Sequence, residues 1–331
     1  MNALKITNNW LTAHKIPPQY ISFFNAHSLI PDDGIEILDL LKACVELNSF
    51  ESVLKLMEVL PIDTDLNLEV ENLETDLFCL GDITFNKQVL ISNRKIFVKG
   101  NIYFKDDSNI VDGFIYANCI HAKNLKSHNS TVYSSVIAES IQLTYHSCIY
   151  SSESKDNIVQ ATNIHIDLNC AIWGDIDDTV NLSIYMGRVV NHLSAIRVKN
   201  IKMQDGLIES DVLAVNLTMN NSAIYCNSVT ADNISIYQYS SIDIPLENDP
   251  HLKYLFTKCK VNTKSILIEN SRINGNVKAS DKIIFKSGEI GYNLYTKTLL
   301  AGIETKVGEC VYADSIIIYP NENLLDEVKA C

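Results

Sequence analysis

From about residue 82 almost to the C-terminus one four-residue motif keeps returning: a small polar residue, an aliphatic, any residue, and another aliphatic. It reads Asn124-Leu125-Lys126-Ser127, Ser140-Ile141-Gln142-Leu143, Asn163-Ile164-His165-Ile166 and Asn181-Leu182-Ser183-Ile184. Further copies begin at Asn200, Asn216, Asn233, Ser265, Lys282 and Ser315, with weaker ones at Asp82, Asn101 and Thr298. Successive copies lie roughly 16 to 19 residues apart, with occasional longer gaps. A fixed period of that kind marks a stacked repeat, in which each unit buries its apolar face on its neighbours.

Each repeat holds more than the motif. With the small polar residue as position zero, a β-branched residue and an Ala precede it, as in Val136 and Ala138, Val159 and Ala161, Val212 and Ala214, Val229 and Ala231. Another aliphatic follows further on: Val132, Ile149, Ile172, Ile208, Ile224, Ile242, Ile273, Ile290. A spacing of two inside each pair turns both side chains to the same side of a strand. The spacing of three between the Ala and the next aliphatic breaks that alternation, so the chain turns a corner at position zero. Asn, Ser and Asp there tolerate left-handed backbone, and a stacked Asn row can hydrogen-bond from coil to coil.

The predicted fold is mainly β: a single parallel, triangular β-solenoid over about residues 78–318, with about 13–14 coils. At about 4.8 Å per coil the rod is roughly 60 Å long. Sides of about five, seven and five residues, in a chain with only 12 glycines, do not fit the strict six-residue period of left-handed acyltransferase helices and favour a right-handed coil. The longer gaps at Ser151 to Asn157 and Pro245 to Lys260 fit insertions at corners, and the second also has room for one degenerate coil.

Residues 1–62 form a helical N-terminal region, joined to the rod by a connector at 63–77. Asp32 and Asp33 are placed to cap a helix carrying Ile35, Leu38, Leu41 and Val45. Asn48 and Glu51 resemble a capping box ahead of Val53, Leu54, Met57 and Leu60, stopped by Pro61. Residues 319–331, with Asn323-Leu324-Leu325, look like a short helical cap. A solenoid with open ends offers unpaired strands and bare core, so caps on both ends are expected.

The net charge of -13, from 27 Lys and Arg against 40 Asp and Glu, would repel a nucleic-acid backbone or an anionic membrane and attract a basic protein. No apolar run approaches the length of a membrane span. Nine cysteines without a C-x-x-C pair, and no basic-then-apolar start, read as reduced thiols in the cytoplasm.

Chemistry is sparse. Asp175, Asp177 and Asp178 are the one dense acidic group, with no basic partner near them in sequence, and read chiefly as a solvated corner loop. The eight histidines share no position in the repeat. No phosphate loop, nucleophile elbow or metal-ligand spacing is present, so no catalytic residue, cofactor or metal is assigned. One outward feature stands apart. Tyr133, Tyr150 and Trp173 each follow the third inward aliphatic, and Tyr225 does so further along. Residues at one position of a repeat stack into a column, so an exposed aromatic stripe is expected, of the kind that dominates protein interfaces.

The aliphatic triangular coil without a fixed hexapeptide resembles the bactofilins and the wider group of polymer-forming β-solenoids, over about residues 78–318. That resemblance implies a bare rod that polymerises end to end. The helical N-terminal region and about twice the number of coils depart from that pattern. Three readings follow. The first is a non-enzymatic binder that grips a basic protein through Tyr133, Tyr150, Trp173, Tyr225, Asp175, Asp177 and Asp178, as an inhibitor or immunity protein would, acting as a monomer or small homo-oligomer. The second is a self-assembling scaffold, and the third, least supported, is a β-helix carbohydrate-active enzyme.

Overall fold

Strand-forming aliphatics at a spacing of two and polar residues at fixed corners wind the chain into a parallel β-solenoid of about 13 turns. The computed structural model describes residues 5–64, 66–71, 73–151, 158–191, 194–243 and 259–319. Strand pairing begins at Asn67–Val70, ahead of the expected boundary at 78, and runs to Val311–Tyr319. Each strand pairs in parallel with its equivalent one turn away, so position zero forms a single column. Asn124 stacks on Ser140, then Asn163, Asn181, Asn200, Asn216, Asn233, Ser265, Lys282, Thr298 and Ser315. The aliphatics of the motif point into one continuous core, and Ile141, Leu143, Ile164, Ile166, Leu217, Met219, Ile234 and Ile236 are all buried in it.

Inside that column the amides form a ladder. The Nδ2 of Asn181 donates to Oδ1 of Asn163 (2.8 Å), Asn200 to Asn181 (3.0 Å), Asn216 to Asn200 (2.8 Å) and Asn233 to Asn216 (2.9 Å). Asn216→Leu should therefore cost about 1–2 kcal/mol, since it leaves one acceptor and one donor of its neighbours unpaired at a half-buried site partly open to water. Thermal or denaturant melts of the variant would check this, and an unchanged midpoint would mean the ladder adds nothing to stability.

Three local expectations are corrected. Left-handed backbone is absent from position zero and occurs at the next corner, at Asn93, Asp112, Asn129, His146, Asn169, Asp205, Asn221, Tyr239 and Asn270. Position zero lies within a continuous strand, as Asn200 does in Ile196–Gln204, and its amide is used in the ladder. The weak copies at Asp82 and Asn101 belong to a different side of the triangle. Ile102 pairs with Ile120, and Cys119 and Ile120 pair with Ser135 and Val136, which is the Val/Ala side, while Ser108 pairs with Leu125. The reason is that each side carries a polar-aliphatic-x-apolar string, and Phe85 and Phe104 stand where later coils have Ala. Finally, the gap after Ile242 adds no turn to the stack, because Ile242 stacks directly on Ile273 and Asn233 on Ser265.

The N-terminal region folds as α1 (Asn8–Ala13), α2 (Pro18–Ala26), α3 (Ile37–Glu46) and α4 (Phe50–Val59), with a two-residue antiparallel pairing of Lys5–Ile6 with Ile35–Glu36. Helix α3 starts at Ile37, after the expected Asp32/Asp33 cap, because Ile35–Glu36 is held as strand. It buries Ile37, Leu40, Leu41, Cys44 and Val45, and leaves Leu38 outside. Nor does the capping box close: the residue before α4 is Ser49, without a side-chain cap bond, and Asn48 is left-handed.

The helices pack on outward-facing residues of the rod's early coils, namely Phe78, Leu80, Phe97, Phe114 and Tyr116. Lys99 Nζ ties the end of α4 to the same wall by donating to the carbonyls of Met57 and Glu58, the second at 3.1 Å. Burial there holds the Lys99 ammonium below its ordinary pKa. These contacts lie on the side of the rod, not over its end. At the other end the aliphatics of the last described strand are open to solvent, with Ile318 67 % and Ile316 51 % exposed. The expected C-terminal cap lies outside the described residues apart from Tyr319, the last residue of the final strand.

Candidate aromatic interface

The repeat puts one residue per coil at the position following the third inward aliphatic, and strand register stacks those residues into a column. In order along the rod it reads Phe78, Phe97, Tyr116, Tyr133, Tyr150, Trp173, Val190, Glu209, Tyr225 and Asp243. Their neighbours on either side, such as Ile96 and Val98 around Phe97, face the core, so the column faces outward. Rings spaced by one coil are close enough to stack. Phe78 and Phe97 lie 5.3 Å apart, Tyr133 and Tyr150 4.8 Å, and Tyr150 and Trp173 6.1 Å, each pair near parallel.

The helical unit occupies the first part of this wall. Phe50, at the start of α4, stacks on Phe114 at 5.6 Å, and Phe114 in turn meets Tyr133 at 5.5 Å. Beyond that point Tyr133, Tyr150 and Trp173 continue the surface half-buried, less exposed than a free stripe would be, because each ring is covered by its stacking neighbours. Burial raises the phenol pKa of both Tyr133 and Tyr150, so they present neutral hydroxyls at physiological pH. The run ends at a charged lid: the Arg188 guanidinium sits 5.0 Å over the Trp173 ring and pairs with Glu209 at 2.7 Å.

The remaining expected residues are placed less uniformly. Tyr225 occupies the same column but is separated from Trp173 by Val190 and Glu209, so the rings are not brought together. Asp175 accepts a 2.8 Å hydrogen bond from Ser194 Oγ, and Asp177 lies 3.6 Å from Arg197. A basic partner absent from the local sequence is thus supplied by the next coil. Asp178 is exposed and left-handed, and the triplet is a bulge: Ile176 takes the Val159 column, while Thr179 pairs with Val198 after one residue more than the usual spacing.

Phe78, Phe97, Phe114, Tyr116 and Arg188 were not foreseen. The signal for three of them was available, since Phe78, Phe97 and Tyr116 follow the inward aliphatics Leu77, Ile96 and Ile115 in the same way that Tyr133 follows Val132. Placing Asp82 and Asn101 on the wrong side of the triangle hid it. Arg188 precedes its coil's aliphatic and reaches Trp173 only through the register of successive turns.

Elsewhere an open groove of about 540 Å³ lies on the Val/Ala side, where Tyr103 and His121 stack at 4.9 Å beside Lys105 and Glu139. Among the described residues no group of three or more His, Cys, Asp or Glu is positioned to hold a metal ion, and no helix is long and apolar enough to cross a membrane. The chain matches no protein-family model, no curated protein and no solved structure at a significant level.

Proposed function

We propose that this chain is a non-enzymatic binding protein that grips a basic protein partner along the wall formed by Tyr133, Tyr150 and Trp173, in the manner of an inhibitor or immunity protein. The observation that carries this reading is the continuity of the wall. Its first part is already a docking surface, on which Phe50 and the helical unit pack, and its second part has the same chemistry and remains half-exposed. Stacked Tyr and Trp rings lose little conformational entropy on contact and contribute strongly at interfaces. The charge of -13 supports a basic partner, with Asp178 and the outer edges of Asp175 and Asp177 as its flank. Against the purified partner, Trp173→Ala should weaken binding by more than about 1 kcal/mol. Affinity should also fall as salt rises. Unchanged affinity in a folded Tyr133/Tyr150/Trp173 triple-alanine variant would move the interface elsewhere, and turnover of a glycan or acyl donor would overturn the non-enzymatic reading.

A second reading, end-to-end self-assembly, is favoured by the last described strand, Val311–Tyr319, where the aliphatics Ile316 and Ile318 are open to solvent. Sedimentation separates the two. A scaffold runs as polymer at low micromolar concentration and is dispersed by Ile318→Asp, whereas the binder runs as monomer or dimer with or without that change.

A further inference from the structure

Two thiols of the core have no place in the aromatic wall. Cys226 and Cys259 lie on adjacent coils, 33 positions apart in sequence, with their Sγ atoms 3.7 Å apart. Both are buried, at 2 % and 0 % exposure. Residues 244–258, the insertion after the Ile242 strand, lie between them in the chain. The coils that carry them are in direct register, Ser228 on Lys260 and Val229 on Val261. Cys259 is also backed by Gly275, where even a Cβ would come within 2.2 Å of the Cys259 carbonyl oxygen, so its backbone cannot retreat from its partner.

We propose that Cys226 and Cys259 are a disulfide site, closed by exchange with a small-molecule disulfide such as oxidised glutathione, which staples two neighbouring coils together. A disulfide needs its sulfurs at about 2.05 Å, so closure has to bring the two Sγ atoms together from 3.7 Å by side-chain rotation. In the first step one protein thiol, as thiolate, attacks the glutathione disulfide. Its S–S bond breaks, a mixed disulfide forms and one glutathione leaves. The second protein thiol then attacks the protein sulfur of that mixed disulfide and expels the second glutathione. The two protein thiols lose two electrons and two protons, and two reduced glutathiones carry them away.

Rate and equilibrium are separate here. The Cys226 thiol is pushed above its ordinary pKa, first by its hydrogen bond with Cys259 and then by burial, so the folded protein exchanges slowly. The equilibrium depends instead on how well the pair is held together, and two sulfurs already in contact have a high effective concentration for each other. Among the described cysteines, exposure would rank Cys310 first for oxidation, with half-buried Cys119 and Cys148 next. Geometry ranks the Cys226/Cys259 pair first.

The full-length protein is equilibrated over a series of oxidised-to-reduced glutathione ratios, once folded and once by unfolding and refolding in the same buffers so that access is not limiting. Acid quenching, alkylation and peptide mapping then assign each cysteine. The expected result is a peptide linking Cys226 to Cys259 that is half-formed in a buffer at least roughly tenfold more reducing than the one that half-modifies Cys310. The oxidised protein should also melt at least about 3 °C higher than the reduced one, a rise that Cys226→Ala and Cys259→Ala each remove. Two results would overturn the proposal: both thiols fully alkylated in the most oxidising refolded sample, or a linked peptide that joins either residue to a different cysteine.

Discussion

Replacing Ile166 with Asp is expected to abolish the fold of the central coils, or to lower the melting midpoint by more than about 10 °C. Ile166 is 0 % exposed and sits in the core column between Leu143 and Ile184 of the adjoining turns. The site cannot relax around a carboxylate. Gly187, one turn on, is packed so tightly that a Cβ there would come within 2.5 Å of the Ile166 Cγ2 atom. Among the described residues no Lys, Arg or His is buried in the core, so the carboxylate is either buried unpaired or protonated, and either state costs several kcal/mol on top of the lost apolar burial. The neighbour supplies the control. His165 points outward between Gln142 and Ser183, and His165→Asp should stay within about 1 kcal/mol of the parent. Circular-dichroism melts of both variants decide the matter. An Ile166→Asp protein as stable as His165→Asp would mean that the inward assignment of the motif is wrong.

That experiment probes the part of the fold that was legible in the sequence. Period and alternation are properties of side chains one strand apart, so Ile141, Ile164, Leu217 and Ile234 could be assigned to one core without coordinates, and the Asn row to one ladder. What failed was information carried by only one turn. Asp82 and Asn101 match the motif except for Phe in its last place, and only the pairing of Ile102 with Ile120 shows that they belong to another side of the triangle. The left-handed corner was read from residue type alone, and Asn is equally at home in the strand ladder at Asn200 and in a turn at Asn221. The cap of α3 failed because a two-residue strand pairing at Ile35–Glu36 competes with helix for the same backbone groups, and that of α4 because the left-handed Asn48 closes the end of α3, its N–H donating to the Val45 carbonyl. Of the candidate site, Tyr133, Tyr150 and Trp173 follow from the period. Arg188 above Trp173 and Arg197 beside Asp177 do not, because both are contacts between turns made by long side chains.

Removal of residues 1–62 is the second change with a large expected effect, and its consequence follows from where the helices sit. They were expected to close the end of the rod, but their contacts are on its flank. Phe97 is fully buried between the helices and the outward face of its coil, and Phe78, Leu80, Phe114 and Tyr116 are partly covered beside it. The deletion strips that cover and joins the newly bare rings to Tyr133, Tyr150 and Trp173, which makes one apolar wall running along the first half of the rod. A patch of that kind, on a rigid rod that cannot collapse to hide it, drives sideways association. Light scattering coupled to gel filtration should therefore report oligomers or insoluble protein for the truncated chain. Phe97→Ser in the truncated background should partly restore solubility, because it removes the ring that the helices had covered most completely. Protection at the rod's end predicts otherwise: end-to-end polymers, unaffected by Phe97→Ser and dispersed by changes to the first coil such as Leu68→Asp. A truncated protein that stays monomeric with an unchanged melting midpoint would show that the helices are an independent module, and that the wall tolerates water along its whole length.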